Sequence, residues 1–150
     1  MAEISEDFFD LELYAIYKSI HELVGGDSWK VVWRSGEIMI AELRERLHLD
    51  QKTPFETMRL LGKYLEEAGY LDKLEVKETG PDQLEYVMSN PVITRGAQRL
   101  LKEGAAPPHI STSLMFAALK LIFGMKAEMI GEPVFMKDGR AIERWKIAKM

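Results

Sequence analysis

Between Ser113 and Gly124 the chain reads SLMFAALKLIFG, ten consecutive side chains from Leu114 to Phe123 of which only Lys120 is charged. Crossing a bilayer takes roughly 20 apolar residues, so a segment this short reads as a helix, near residues 112–124, buried on almost every side. A helix of that kind needs cover from all directions. The sequence therefore predicts a domain wrapped around a central helix, with room for an apolar ligand wherever packing against it is incomplete.

The chain has 150 residues, 47% hydrophobic and 29% charged, enough for one globular domain over 1–150 with a single sizeable core. Its 20 basic and 24 acidic residues give a formal charge of -4, which offers phosphate no global attraction and argues against nucleic acid. The acids Glu3, Glu6, Asp7, Asp10 and Glu12 crowd the start, and Lys137, Arg140, Arg144, Lys146 and Lys149 crowd the end. The two ends are expected to attract each other. There is no cysteine, which removes disulfides, thiolate metal sites and cysteine nucleophiles and fits a reducing compartment. With no apolar signal core in MAEISEDFFD, the expectation is a cytoplasmic protein without a membrane anchor.

Three amphipathic helices open the chain. Phe9, Leu13, Ile16, Ile20 and Leu23 recur at helical spacing until Gly25-Gly26. Val32, Gly36, Met39, Leu43 and Leu47 make a second stripe, and Met58, Leu61, Leu65 and Ala68 a third, with Thr53 as cap and Pro54 in the first turn. The period then drops to two: Leu74 and Val76, a turn at Thr79-Gly80-Pro81-Asp82, then Leu84, Tyr86 and Met88 predict a hairpin. Residues 91–104 suit a short helix, and Ser111, Thr112 and Ser113 offer caps for the apolar one. Strands over 127–136 and 140–147, joined by Lys137-Asp138-Gly139, predict a second hairpin. The fold class is α+β, with helices packed on an antiparallel sheet made from two hairpins.

This order resembles the 4-vinyl reductase domain family, which is related to Golgi transport-particle subunits and to haem nitric-oxide sensor domains. WRSGEIMIAELRERL (Trp33 to Leu47) looks like the family's aromatic-Arg-small-Gly helix. PFETMRLLGKYLEEAGYLDKLEV (Pro54 to Val76) looks like the helix that runs into its first hairpin, and GMKAEMIGEPVFMKDGRAIERWKI (Gly124 to Ile147) like its closing hairpin. Ile40 stands where a second glycine often occurs, the cysteines common around the last hairpin are absent, and no Tyr-x-Ser-x-Arg motif is present. Thiol chemistry, metal binding, an acylated cysteine and a haem ligand are therefore not carried over. The resemblance implies an α+β domain that often dimerises and holds a hydrophobic small molecule between helices and sheet.

A two-residue turn at Asp138-Gly139 would place Met136 opposite Ala141, Val134 opposite Glu143 and Glu132 opposite Trp145. Glu132 and Glu143 would then be diagonal neighbours on an apolar face, roughly 7 Å apart, able to bind a cation or raise one carboxyl's pKa. The alternative places both at the sheet edge, in water or paired with bases. His21, His48 and His109 lie on separate elements without ligand spacing, so no metal and no cofactor is expected. His109, beside Pro107-Pro108 and Ser111, reads as a loop histidine, with a ligand contact or a base for a serine as the alternatives. Arg34 beside Trp33 would hold a carboxylate at a pocket mouth, or else pair with the acidic N-terminus.

No catalytic signature emerges: there is no phosphate loop and no nucleophile constellation. The expected function is non-catalytic binding or sensing of a hydrophobic small molecule by a homodimer. Facing apolar stripes nominate Met39, Leu43, Leu61, Tyr64, Phe116, Leu119 and Phe123 as the pocket, with Arg34 at its mouth. Two alternatives stand. Residues 40–88 imitate a winged helix of a transcription regulator, although Glu56, Glu66 and Glu67 on its recognition helix and Glu75, Glu78, Asp82 and Glu85 on its wing would repel phosphate. A scaffold subunit is the other.

Overall fold

The structure is a computed structural model and describes residues 3–150. Helix α1 (Glu6–Val24) starts where the Ser5 hydroxyl accepts the Phe8 amide at 3.1 Å, and it ends at Gly25, whose φ of 56° combined with a ψ of -124° suits only a residue without a Cβ. After a 3-10 turn, α2 (Ser28–Arg46) runs to a left-handed His48. Helix α3 (Pro54–Glu67) begins as its sequence predicts: Thr53 Oγ1 accepts the Glu56 amide at 3.2 Å, and Pro54 occupies the first turn. Met58, Leu61 and Leu65 make its buried stripe.

Strands β1 (Lys73–Gly80) and β2 (Gln83–Ser89) form the first hairpin. Helices α4 (Thr94–Lys102) and α5 (Ile110–Phe123) follow, then β3 (Met125–Met129), β4 (Val134–Phe135) and β5 (Arg140–Lys149). The antiparallel sheet has the order β1-β2-β5-β3, with β4 also paired to β5. Two hairpins joined through β2 and β5 make one surface, as the period-two segments require. Because β2 is hydrogen-bonded on both sides, to β1 and to β5, the first hairpin is part of a larger sheet and not a free wing. The winged-helix arrangement of 40–88 is therefore not formed.

The second hairpin departs from expectation in register. Phe135 pairs with Ala141 and Val134 with Ile142, because the turn contains three residues, Lys137, Asp138 and Gly139, with Gly139 at φ 91°. This is the longer hairpin loop that ends in a left-handed glycine. A shift of one residue exchanges the faces. Phe135 packs on the core, while Val134 and Met136 turn outward. The predicted strand over 127–136 is also broken between Met129 and Val134, where Gly131 has a φ of 76° and Pro133 follows.

Helix α5 is the central helix its composition demands. Leu114, Met115, Ala117, Ala118 and Leu119 are buried, Phe116 is half-buried, and the last turn is exposed at Lys120 and Leu121. Ser111, Thr112 and Ser113 do not cap it. The helix begins after His109, which has φ 44°, and the three hydroxyl residues lie buried inside the first turn. Helix α2 crosses α5 so closely that a methyl on Gly36 would overlap the Ser113 carbonyl. The acidic N-terminus meets α4 instead of the C-terminal strand: Asp10 Oδ1 accepts the Gly96 amide at 3.0 Å, and Asp7 stands 3.7 Å from Arg95. Tyr14 and Lys18 of α1 both donate to Glu103, at 2.8 Å each. No helix among the described residues is long and apolar enough to cross a membrane.

Candidate ligand cleft

N-terminal to Gly36, α2 and α5 hold an aromatic surface between them. Trp29 and Trp33 are four residues apart, hence on one face of α2, and their ring centroids are 5.7 Å apart. The His109 ring lies 5.5 Å from Trp29 and 6.1 Å from Trp33, and Phe116 of α5 lies 5.3 Å from Trp33. All four rings are near parallel, with interplanar angles of 11–28°. They form one wall of a cleft of about 760 Å³, closed on the far side by β3 with Met125 and Met129 and by the Gly131–Pro133 segment. A volume of that order suits a small organic molecule.

The aromatic wall continues inward. Phe116 meets Trp145 of β5 edge-on at 4.7 Å, and Trp145 stacks on Tyr86 of β2 at 4.2 Å. Beneath His109 sits Glu143, only 2% exposed. Its Oε1 accepts from Thr112 Oγ1 at 2.6 Å and from Trp145 Nε1 at 3.0 Å, and His109 Nδ1 stands 3.4 Å from Oε2. A small inner cavity of about 40 Å³ touches Glu143, Thr112, Tyr70 and His109, so His109 is a wall shared with the cleft. Burial, reinforced by the Glu143 charge, pushes the Tyr70 phenol far above its ordinary range and keeps it neutral.

At the mouth, Glu37 of α2 accepts from Lys120 Nζ of α5 at 3.1 Å and from Arg34 Nη1 at 3.2 Å. The Lys120 ammonium, helped by Arg34, holds the Glu37 carboxyl below the usual carboxylate range. Arg34 thus holds a carboxylate at the mouth, but one from its own helix, and it does not pair with the acidic N-terminus. No group of three or more His, Asp or Glu side chains among the described residues is placed to hold a metal ion.

Of the residues nominated from the sequence, Arg34, Phe116 and Glu132 border the cleft. Leu43, Leu61 and Leu119 do not: they are buried in the core. Met39 and Phe123 pack against that core from its margin, and Tyr64 is exposed on α3. The facing stripes that nominated them are the packed interface itself, and the open space lies beside it. The acidic pair is not formed either, since the shifted register leaves Glu132 exposed and Glu143 buried. The sequence reading missed Trp29 and the buried role of Thr112. The four-residue spacing of Trp29 and Trp33 was the available signal for the former; nothing local marks the latter.

No protein-family model matches the chain, and no curated protein matches it by sequence. Solved structures do match in fold. A trafficking protein particle complex subunit 3 from Naegleria fowleri, covalently bound to palmitic acid, superposes with a TM-score of 0.64 at 11% identity, covering 96% of this chain and 95% of that one. A mutant of the T. tengcongensis H-NOX gives a TM-score of 0.60 at 15% identity, covering 98% of this chain and 75% of that one. A member of the H-NOX family studied for heme distortion gives 0.59 at 15%, with 98% and 73% covered. The class this defines is the α+β fold shared by those subunits and domains; at such identities the likeness establishes the architecture alone.

Proposed function

We propose that the chain is a non-catalytic binding or sensory module for a hydrophobic small molecule, held in the cleft between α2, α5 and β3. The observation that carries the reading is the wall of four near-parallel rings, Trp29, Trp33, His109 and Phe116, facing about 760 Å³ of space. Trp29 is 40% exposed and Trp33 and Phe116 are half-buried, and a flat apolar ligand laid against them covers the aromatic surface that still meets water. The neighbours add support: one H-NOX structure concerns heme distortion and the transport-particle subunit carries palmitic acid, so related folds hold apolar molecules. Membership of the 4-vinyl reductase domain family belongs to this proposal and rests on the three passages quoted above.

We place the protein in the cytoplasm as one domain, active as a homodimer. Helix α1 supports the dimer, because Phe8, Leu11, Ile16 and Leu23 are all more than 40% exposed on it. The same surface favours the second reading, a scaffold subunit that docks a different protein. Native mass spectrometry of gently purified protein, followed by denaturing extraction, tests both. A dimer carrying a discrete apolar molecule is expected. A ligand-free chain that instead co-purifies with a different protein would favour the scaffold.

A further inference from the structure

His109 is the one polar ring in the aromatic wall, and one of its nitrogens faces a buried carboxylate. It is 91% buried, following its 9% exposure, and stands between the cleft and the inner cavity. Its Nδ1 faces Glu143 Oε2 at 3.4 Å, and no Lys or Arg pairs with Glu143 among the described residues. Trp145 Nε1–H only donates, so Glu143 Oε1 is an acceptor in this arrangement, and Oε2 is the oxygen nearest His109. In the neutral tautomer that carries its hydrogen on Nδ1, toward Oε2, Nε2 has a lone pair. Nε2 lies across the ring from Nδ1 and makes no hydrogen bond to any described side chain. A ligand that carries a donor can supply the hydrogen bond that Nε2 lacks.

We infer that the ligand of the cleft is a flat apolar molecule bearing one hydrogen-bond donor, a hydroxyl or N–H, which it gives to His109 Nε2, and that Glu143 is the positioning residue that keeps Nε2 an acceptor. The aromatic wall selects for the apolar body and is indifferent to polarity. The histidine selects among such bodies by their donor. The inference rests on the cleft being a ligand site, and its failure is separable from the failure of that reading.

The test compares 2-naphthol, which has the donor, with 2-methoxynaphthalene, which keeps the ring and an acceptor oxygen but has no donor. Calorimetric titration of the full chain is expected to give 2-naphthol a three- to tenfold lower Kd, the range of one net hydrogen bond. In Glu143→Gln the new amide keeps an oxygen for Thr112 and Trp145 while its NH2 donates to Nδ1. The hydrogen then moves to Nε2, and the preference for 2-naphthol is expected to disappear while the protein stays folded. His109→Asn, which tolerates the left-handed backbone at this position, is expected to lose the preference as well. Equal binding of the two probes by the natural chain overturns the inference and leaves the cleft reading standing. A preference that survives Glu143→Gln overturns the positioning role. Failure of both probes to bind overturns the inference together with the cleft reading.

Discussion

Thr112 Oγ1 donates to Glu143 Oε1 across 2.6 Å, and this bond ties the first turn of the buried helix α5 to the central strand β5. Both residues are almost fully enclosed, Thr112 at 0% and Glu143 at 2% exposure. The bond is charge-assisted and enclosed on both sides. Thr112→Val is therefore expected to destabilise the fold by roughly 1.5–3 kcal/mol, the range for a hydrogen bond to a charged group. Urea unfolding of the two proteins measures it; an unchanged midpoint would mean the carboxylate finds another donor.

Gly36 allows α2 to lie against the Ser113 carbonyl. Alanine is the better helix former by about 1 kcal/mol, so propensity alone predicts that Gly36→Ala stabilises. The clash here is with backbone, which cannot step aside, and the expected outcome is a loss of roughly 1–3 kcal/mol. Gly62→Ala is the control. Its added methyl meets the end of the Leu74 side chain at 3.0 Å, which rotates away at smaller cost. Thermal unfolding of the pair should rank Gly36→Ala clearly below Gly62→Ala.

The clamp at the cleft mouth responds to pH through Glu37. Its folded carboxyl is lowered by Lys120 first and Arg34 second, so the folded state binds a proton less readily than the unfolded chain. The stabilising contribution is complete above the ordinary carboxylate range and is lost as the pH falls through the lowered value. Melting curves of the natural chain and Glu37→Gln are expected to differ at neutral pH and to converge in acid. A constant difference across that window would assign the effect to packing.

Cleft and core are separable by substitution. Leu61→Ala removes a fully buried side chain and is expected to cost about 2–5 kcal/mol while leaving 2-naphthol binding within about twofold. Trp33→Ala removes a ring from the wall and is expected to weaken binding by roughly tenfold with a smaller effect on stability. The reverse pattern would return the site to the residues that the apolar stripes suggest.

The elements were legible because their signals are local. Thr53 and Pro54 announce α3, the period-two runs announce the hairpins, and the uninterrupted apolar run from Leu114 announces a helix that other elements must enclose. The register of the second hairpin was not. A turn of two or three residues at Lys137-Asp138-Gly139 differs by one position, and that one position decides whether Val134 or Phe135 faces the core. The site was harder still. Leu43, Leu61 and Leu119 carry the same apolar signal as a pocket wall, and periodicity does not distinguish a filled interface from an open one. Thr112 looked like a cap because a hydroxyl before an apolar run commonly is one. Its true partner, Glu143, is 31 residues away in sequence, and only the assembled sheet brings them together.

The most direct test reads the three tryptophan indole N–H signals by NMR during titration with 2-naphthol. Trp29 and Trp33 lie on the cleft wall, whereas Trp145 is enclosed and donates its N–H to Glu143. A ligand in the cleft shifts the Trp29 and Trp33 signals saturably, with a smaller change at Trp145 relayed through Phe116. Saturable binding that leaves Trp29 and Trp33 unmoved, or no binding at all, would contradict the assignment of this cleft as the ligand site.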